Sequence, residues 1–206
     1  LFFLVGLLWS TQLVQAQTAQ TIPLQPKYWT ITQGGKSSFE NFDGRETLVL
    51  DGKAVVTDME FSNGILEVDV YAKQARSFAG FIFRKQDGTM EEVYMRMHKS
   101  RQPDAVQYTP TYHGESNWQL YPEHQANVTF KEEGWHTLRV EVNNLMATFY
   151  INNEKVLDVP TLKSGNLSGE VGLFALFGNR FSNFKLTKTG NAVVKEPYPI
   201  VTPAKG

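Results

Sequence analysis

Cysteine is absent from the 206 residues. Disulfide staples and thiolate metal centres are therefore excluded. Neither sign of charge is in excess, because 20 basic against 21 acidic residues leave a net charge of −1. A chain without a cationic surplus lacks the electrostatic footprint of a phosphate-backbone binder, so nucleic acid is not an expected partner. No basic amphipathic stretch marks a membrane surface. The apolar run from Leu1 to Trp9 is broken by Ser10, Thr11 and Gln12, well short of the roughly 20 residues a membrane span needs. Long amphipathic helices and repeats of fixed period are missing. So are a Gly-rich phosphate loop, a Ser-His-Asp order, an H-x-x-x-H pair and an Asp-rich EF-hand loop.

What is present points to strands. Aromatic residues make up 13% of the chain, with 14 Phe, 8 Tyr and 4 Trp, and Gly is frequent. Rings and β-branched side chains suit pleated, half-buried surfaces, and Gly supplies turns. The start of the chain reads as a leader. The run Leu1–Trp9 is followed by Val14-Gln15-Ala16, a small-x-small pattern that predicts cleavage after Ala16 and a secreted or periplasmic protein with no membrane insertion afterwards. Residues 17–27 form a lead-in. Residues 189–206 are a Pro-rich tail or linker, in which Pro197, Pro199 and Pro203 oppose regular pairing.

Between these ends, residues 28–188 read as short strands punctuated by turn signals. Asp51-Gly52, Asp87-Gly88, Asn143-Asn144 and Asn152-Asn153 each sit between alternating segments and predict hairpins. In ILEVDVYA, Leu66, Val68 and Val70 point one way, and Glu67, Asp69 and Tyr71 the other. Pairing FAGFIFR with EEVYMRMH across Asp87-Gly88 places Phe81, Phe83, Val93, Met95 and Met97 on a core face. Gly80, Ile82, Arg84, Tyr94, Arg96 and His98 then share the opposite face. The predicted fold class is all-β, an antiparallel sandwich.

Three stretches together resemble the concanavalin A-like lectin/glucanase superfamily, with a laminin G-like close. They are FSNGILEVDVYA, GWHTLRVEVNNLMATFYINNEKV and SGEVGLFALFGNRFSNFKL, and the likeness covers about residues 38–188. The segment YMRMHKSRQPDAVQYTPTYHGESNWQLY is similar to secreted bacterial proteins of the 3-keto-disaccharide hydrolase domain family. The resemblance implies a jelly roll of the concanavalin A-like type and a carbohydrate ligand, and it leaves the oligomeric state open. Laminin G-like domains sometimes hold calcium, so Asp43, Asp51 and Asp58 are conceivable Ca2+ ligands, although turn chemistry explains them equally well. No other metal or cofactor is expected.

A sugar needs planar donors for its oxygens and rings for its apolar face. Arg84, Tyr94, Arg96 and His98 supply donors on one predicted face. Gln107, Tyr112 and Trp118 (with Tyr108) lie in the adjacent loop-rich stretch, and Gly80 would let a ligand approach the backbone. An ordinary solvated sheet face is the bland alternative. Hydrolysis of a glycoside takes two carboxyls about 5–10 Å apart. Glu67 and Asp69 begin the E-x-D-x-x-E pattern of family-sixteen glucanases, but Ala72 stands where the third acid belongs. Glu115, His98, Glu123, Asp104 and His113 are further acid/base candidates. Three functions stay open at this point: a glycan-binding sandwich, a glycosidase or related enzyme acting on 3-keto-disaccharides or modified polysaccharides, and an adhesion domain of a larger secreted protein.

Overall fold

In a computed structural model of the chain, residues 18–193 are described, apart from 35 and 74. The expected leader at 1–16 and most of the Pro-rich tail lie outside the described residues. The described residues form fourteen strands. They are β1 (Gln20–Thr21), β2 (Trp29–Gly34), β3 (Ser38–Phe42), β4 (Arg45–Phe61) and β5 (Asn63–Lys73). Next come β6 (Phe78–Gln86), β7 (Thr89–Arg96), β8 (Val106–Tyr112), β9 (Glu115–Ser116) and β10 (Gln125–Ala126). The last four are β11 (Glu133–Asn143), β12 (Met146–Ile151), β13 (Glu154–Val159) and β14 (Gly169–Gly190). Every pairing is antiparallel, and among the described residues the only helices are single 3-10 turns.

Two layers arise because β4 and β14 each serve both sheets. The first half of β14, Glu170 to Leu176, pairs with β6, and its second half, Arg180 to Gly190, pairs with β5. Strand β4 follows β14 around the same corner. One sheet therefore runs β2, β4, β14, β6, β7, β8, with β9 and β10 at its edge. The other runs β3, β4, β14, β5, β11, β12, β13, with β1 beside the end of β14. Here the structure corrects the sequence reading. Asp51-Gly52 is not a hairpin, because β4 continues through it. The β14 register shifts between Ala175 and Asn179, where Phe177 and Gly178 take φ of 65° and 72°. The Asp51 carboxylate accepts the Phe177 N–H at 3.1 Å and ties that bulge to the bend. The closing stretch SGEVGLFALFGNRFSNFKL likewise lies in one bent strand, β14.

The Asp87-Gly88 hairpin forms as expected. Its residues have φ of 46° and 76°, the left-handed pair that a two-residue hairpin loop with matching twist requires. The pairing of Phe81 with Val93 and of Gly80 with Tyr94 then fixes which side chains share a face. Phe81, Phe83, Val93, Met95 and Met97 are buried between the sheets, as the alternation predicted. They pack against Leu66, Val68 and Val70 of β5 and the inward residues of β11 and β12, with Phe81 and Phe149 in edge contact at 6.4 Å. Each such side chain contributes roughly 1.5–3 kcal/mol through burial. Ile22 and Leu24, ahead of β2, close the core at one end.

Candidate functional site

On the outer face of the β6–β7–β8 sheet a second apolar cluster forms, separate from the core. It comprises Val55, Ile82, Met90, Tyr94 and Phe174, with Phe78 packed against it. Phe78, Tyr94 and Phe174 of this cluster line a cavity of about 470 Å³, a size suited to a small-molecule ligand. Strand β7 contributes Glu92, Tyr94 and Arg96, which alternate outward because Met95 and Val93 point to the core. Strand β8 contributes Gln107, β4 contributes Lys53, and β14 contributes Phe174 and Leu176. Trp118, on the 3-10 turn that follows β9, forms a partly exposed wall.

The polar groups are cross-braced. Tyr94 donates its hydroxyl to Gln107 Oε1 at 3.1 Å, and Gln107 Nε2 donates to the Trp118 carbonyl at 3.1 Å. Arg96 Nη1 donates to Asp104 at 2.6 Å, and its guanidinium lies 5.4 Å and 5.9 Å from the Phe78 and Trp118 ring centres. Arg96 Nε, by contrast, is buried with no hydrogen-bond partner among the described residues, an arrangement that costs free energy unless a ligand or water supplies the acceptor. Glu92 is only 1% exposed, and its carboxylate lies 3.1 Å from Lys53 Nζ. Burial pushes the Glu92 carboxyl above the ordinary range, while the Lys53 ammonium pulls it back. The Tyr94 phenol is pushed well up, chiefly by burial.

Of the residues proposed from the sequence, Tyr94, Arg96, Gln107 and Trp118 come together here. Arg84 does not. It has φ of 53°, and the register shifts beyond Phe83, so its side chain turns away from the face. It is fully buried at the sandwich end, donating to the Ser62 carbonyl at 2.8 Å, Asn63 Oδ1 at 3.1 Å and the Asn144 carbonyl at 2.7 Å. Tyr112 donates to the Lys163 carbonyl, outside the cavity. His98 lies on the 3-10 turn after β7 and lines a neighbouring cavity instead. Gly80 does not open a path for a ligand. A Cβ there would meet the Val93 carbonyl and stand 2.6 Å from Tyr94 Cα, so the glycine admits the adjacent strand.

The acidic candidates are scattered. Glu67 and Asp69 face outward from the other sheet, paired with Lys185 at 3.1 Å and Arg45 at 3.0 Å. Glu115 is exposed on β9, His113 is exposed on the turn before it, and Glu123 is exposed on another turn. Asp104 serves Arg96. No group of three His, Cys, Asp or Glu side chains among the described residues is placed to hold a metal ion, so Asp43, Asp51 and Asp58 do not converge.

Sequence reasoning missed Glu92, Lys53 and Phe174. Glu92 was within reach, because it precedes Tyr94 by two residues and must share its face. Lys53 and Phe174 enter through the β4–β14 corner, which no local pattern announces.

Known structures share the architecture. A carbohydrate-binding module from Bacillus subtilis, CBM66, superposes with TM-score 0.58 at 15% identity, over 76% of this chain and 93% of its own. A Bacillus subtilis protein with a galectin-like fold gives 0.57 at 11% identity, over 79% and 90%. The Bacillus licheniformis β-glucanase gives 0.55 at 12% identity, over 85% and 100%. These likenesses place the fold as a concanavalin A-like jelly roll. No curated protein matches the sequence. Residues 25–187 match the 3-keto-alpha-glucoside-1,2-lyase-like domain, and the chain belongs to that family.

Proposed function

We propose that the cavity on the β6–β7–β8 face binds a sugar and cleaves a 3-keto-glucoside by elimination. The observation that carries this reading is the buried Glu92 carboxyl in a cavity walled by Tyr94, Arg96, Gln107, Trp118 and Phe174. The rings suit the apolar face of a pyranose, and Arg96 and Gln107 suit its oxygens. A ketone at C3 acidifies the C2 proton. Glu92 takes that proton, the C2–H electron pair forms the C1–C2 double bond, and the C1–oxygen bond breaks toward the leaving alkoxide. The alkoxide receives a proton, giving an alcohol and an unsaturated keto-sugar. Lys53 and Arg96 supply positive charge for the oxyanion that develops at C3. A carboxyl raised by burial is a better base near neutral pH than an exposed one.

Elimination also fits the supply of acids. Glu92 is the one carboxylate among the described residues lining the cavity, whereas two-carboxyl hydrolysis needs a second one flanking the bond. The same observation favours, as a second reading, a lectin-like site that binds without turnover. Incubation with 3-keto-trehalose separates them, read by release of glucose and by the ultraviolet absorbance of the enone. Glu92→Gln is expected to lower turnover by about 10²–10⁴-fold while ligand still quenches Trp118 fluorescence. Retained turnover in that variant rules out Glu92 as the base, and binding without product in the wild type leaves the lectin-like reading.

A further inference from the structure

Beside the sugar cavity lies a second one of about 330 Å³, with a mainly polar lining that includes Arg76, His98, Ser100, Arg101 and Glu132. The two are neighbours through a shared residue, because Arg76 lines both. Arg76 and Arg101 have no carboxylate in ion-pair range among the described residues, although Arg45, Arg139 and Arg180 do. Arg76 is instead propped over the Phe177 ring at 4.9 Å. The acids nearby do not neutralise the pair. Asp104 is engaged by Arg96 at 2.6 Å and stands 3.7 Å from Lys99, which leaves Glu132 as the carboxylate on the cavity itself.

Around this junction three polar atoms are buried without a hydrogen-bond partner: Ser77 Oγ, Arg96 Nε and His98 Nδ1. Ser77 is 5% exposed and Arg96 is 9% exposed, so bulk water does not relieve them. The orphaned Arg96 Nε and Ser77 Oγ can donate, and with two guanidiniums that lack an ion pair they mark a region short of acceptors, which an incoming group with several oxygens would supply. Burial and the charge of Arg96 hold the His98 imidazole below its ordinary range, in keeping with a positive field at this spot.

We infer that the second cavity is a subsite for an anionic substituent, a carboxylate or sulfate ester, on the sugar chain that occupies the first. Arg76 and Arg101 clamp its oxygens, and Ser100 on the same wall supplies a hydroxyl donor. This rests on the reading of the first cavity as a sugar site, and it narrows the substrate class from neutral glycosides to acidic ones.

The test compares three probes on the full chain by calorimetry: a neutral cello-disaccharide, a di-uronate from pectin, and a sulfated disaccharide from heparin. At least one acidic probe is expected to bind ten times more tightly than the neutral one in low salt, with the advantage shrinking as salt rises. The better acidic probe identifies the source. Arg101→Gln, a residue that does not line the sugar cavity, is expected to remove the advantage and leave the neutral affinity unchanged. Binding of the neutral sugar with no gain for either acidic probe overturns the subsite and leaves the sugar cavity standing. An acidic advantage that survives Arg101→Gln also overturns it. Failure of all three to bind, with turnover of 3-keto-trehalose also absent, removes the sugar reading and the subsite together.

Discussion

At the scale of single residues, the site is held by side chains that violate local rules. Phe177 is a bulky residue at φ 65°, a conformation that costs about 1–3 kcal/mol outside glycine. Its ring is 55% exposed and leans on Arg76 and Phe78, both cavity residues. Strain kept where it returns little burial is characteristic of functional sites. Phe177→Gly is expected to stabilise the fold by about 1 kcal/mol, a rise in Tm of about 2–4 °C for a domain of this size, while sugar affinity falls. Calorimetric melting with parallel titration of ligand reads both signs. Arg84 shows the opposite case. The sequence places it on the binding face by alternation, but the one-residue shift after Phe83 sends it inward, where backbone carbonyls satisfy it. A bulge is a single-residue event that the period-two rule cannot foresee.

At the scale of elements, the β6–β7 hairpin was legible nearly residue for residue. Its turn chemistry fixes the register, and the register fixes the faces. The hairpin carries Tyr94 and Arg96 to the cavity, and Gly80 lets the two strands close. Gly80→Ala is expected to destabilise the domain by about 1–3 kcal/mol, because the added methyl meets backbone and not a yielding side chain. Urea denaturation measures it, and a change within error would show that the strands can spread. The β4–β14 corner was not legible. Asp-Gly is the strongest short hairpin signal, yet at 51–52 partners more than a hundred residues away keep both halves of β4 in one strand. Tertiary pairing overrides the local preference there, and it also delivers Lys53 and Phe174 to the site.

At the scale of the whole molecule, the sandwich has two outer faces of different character. One bears the cavity. The other bears Glu67 and Asp69, two of the three acids of the glucanase pattern, together with an Arg-aromatic surface in which Arg45 covers Trp135 at 4.4 Å and Arg180 covers Phe42 at 4.4 Å. Replacing Glu67→Gln and Asp69→Asn together is expected to leave turnover of 3-keto-trehalose within about twofold of wild type, since neither carboxylate lines the cavity and both are paired on the opposite sheet. A hundredfold loss would move the chemistry to that face. Fold class was readable from alternation and turns because both are local. The face of Glu92 was readable in the same way, two residues before Tyr94, but nothing in one dimension ranks it above Glu67 and Asp69.

The bent strand β14 has a consequence in time. It is the last strand of the domain, and it sits in the middle of both layers, flanked by β4, β5 and β6. Until residues 169–190 emerge, the earlier hairpins lack their common neighbour, and the wall that holds Phe174 does not exist. A chain still being synthesised is thus a collection of open edges, and closure waits on contacts of high sequence separation, the slowest kind to form. The cavity is made in the same final step as the fold.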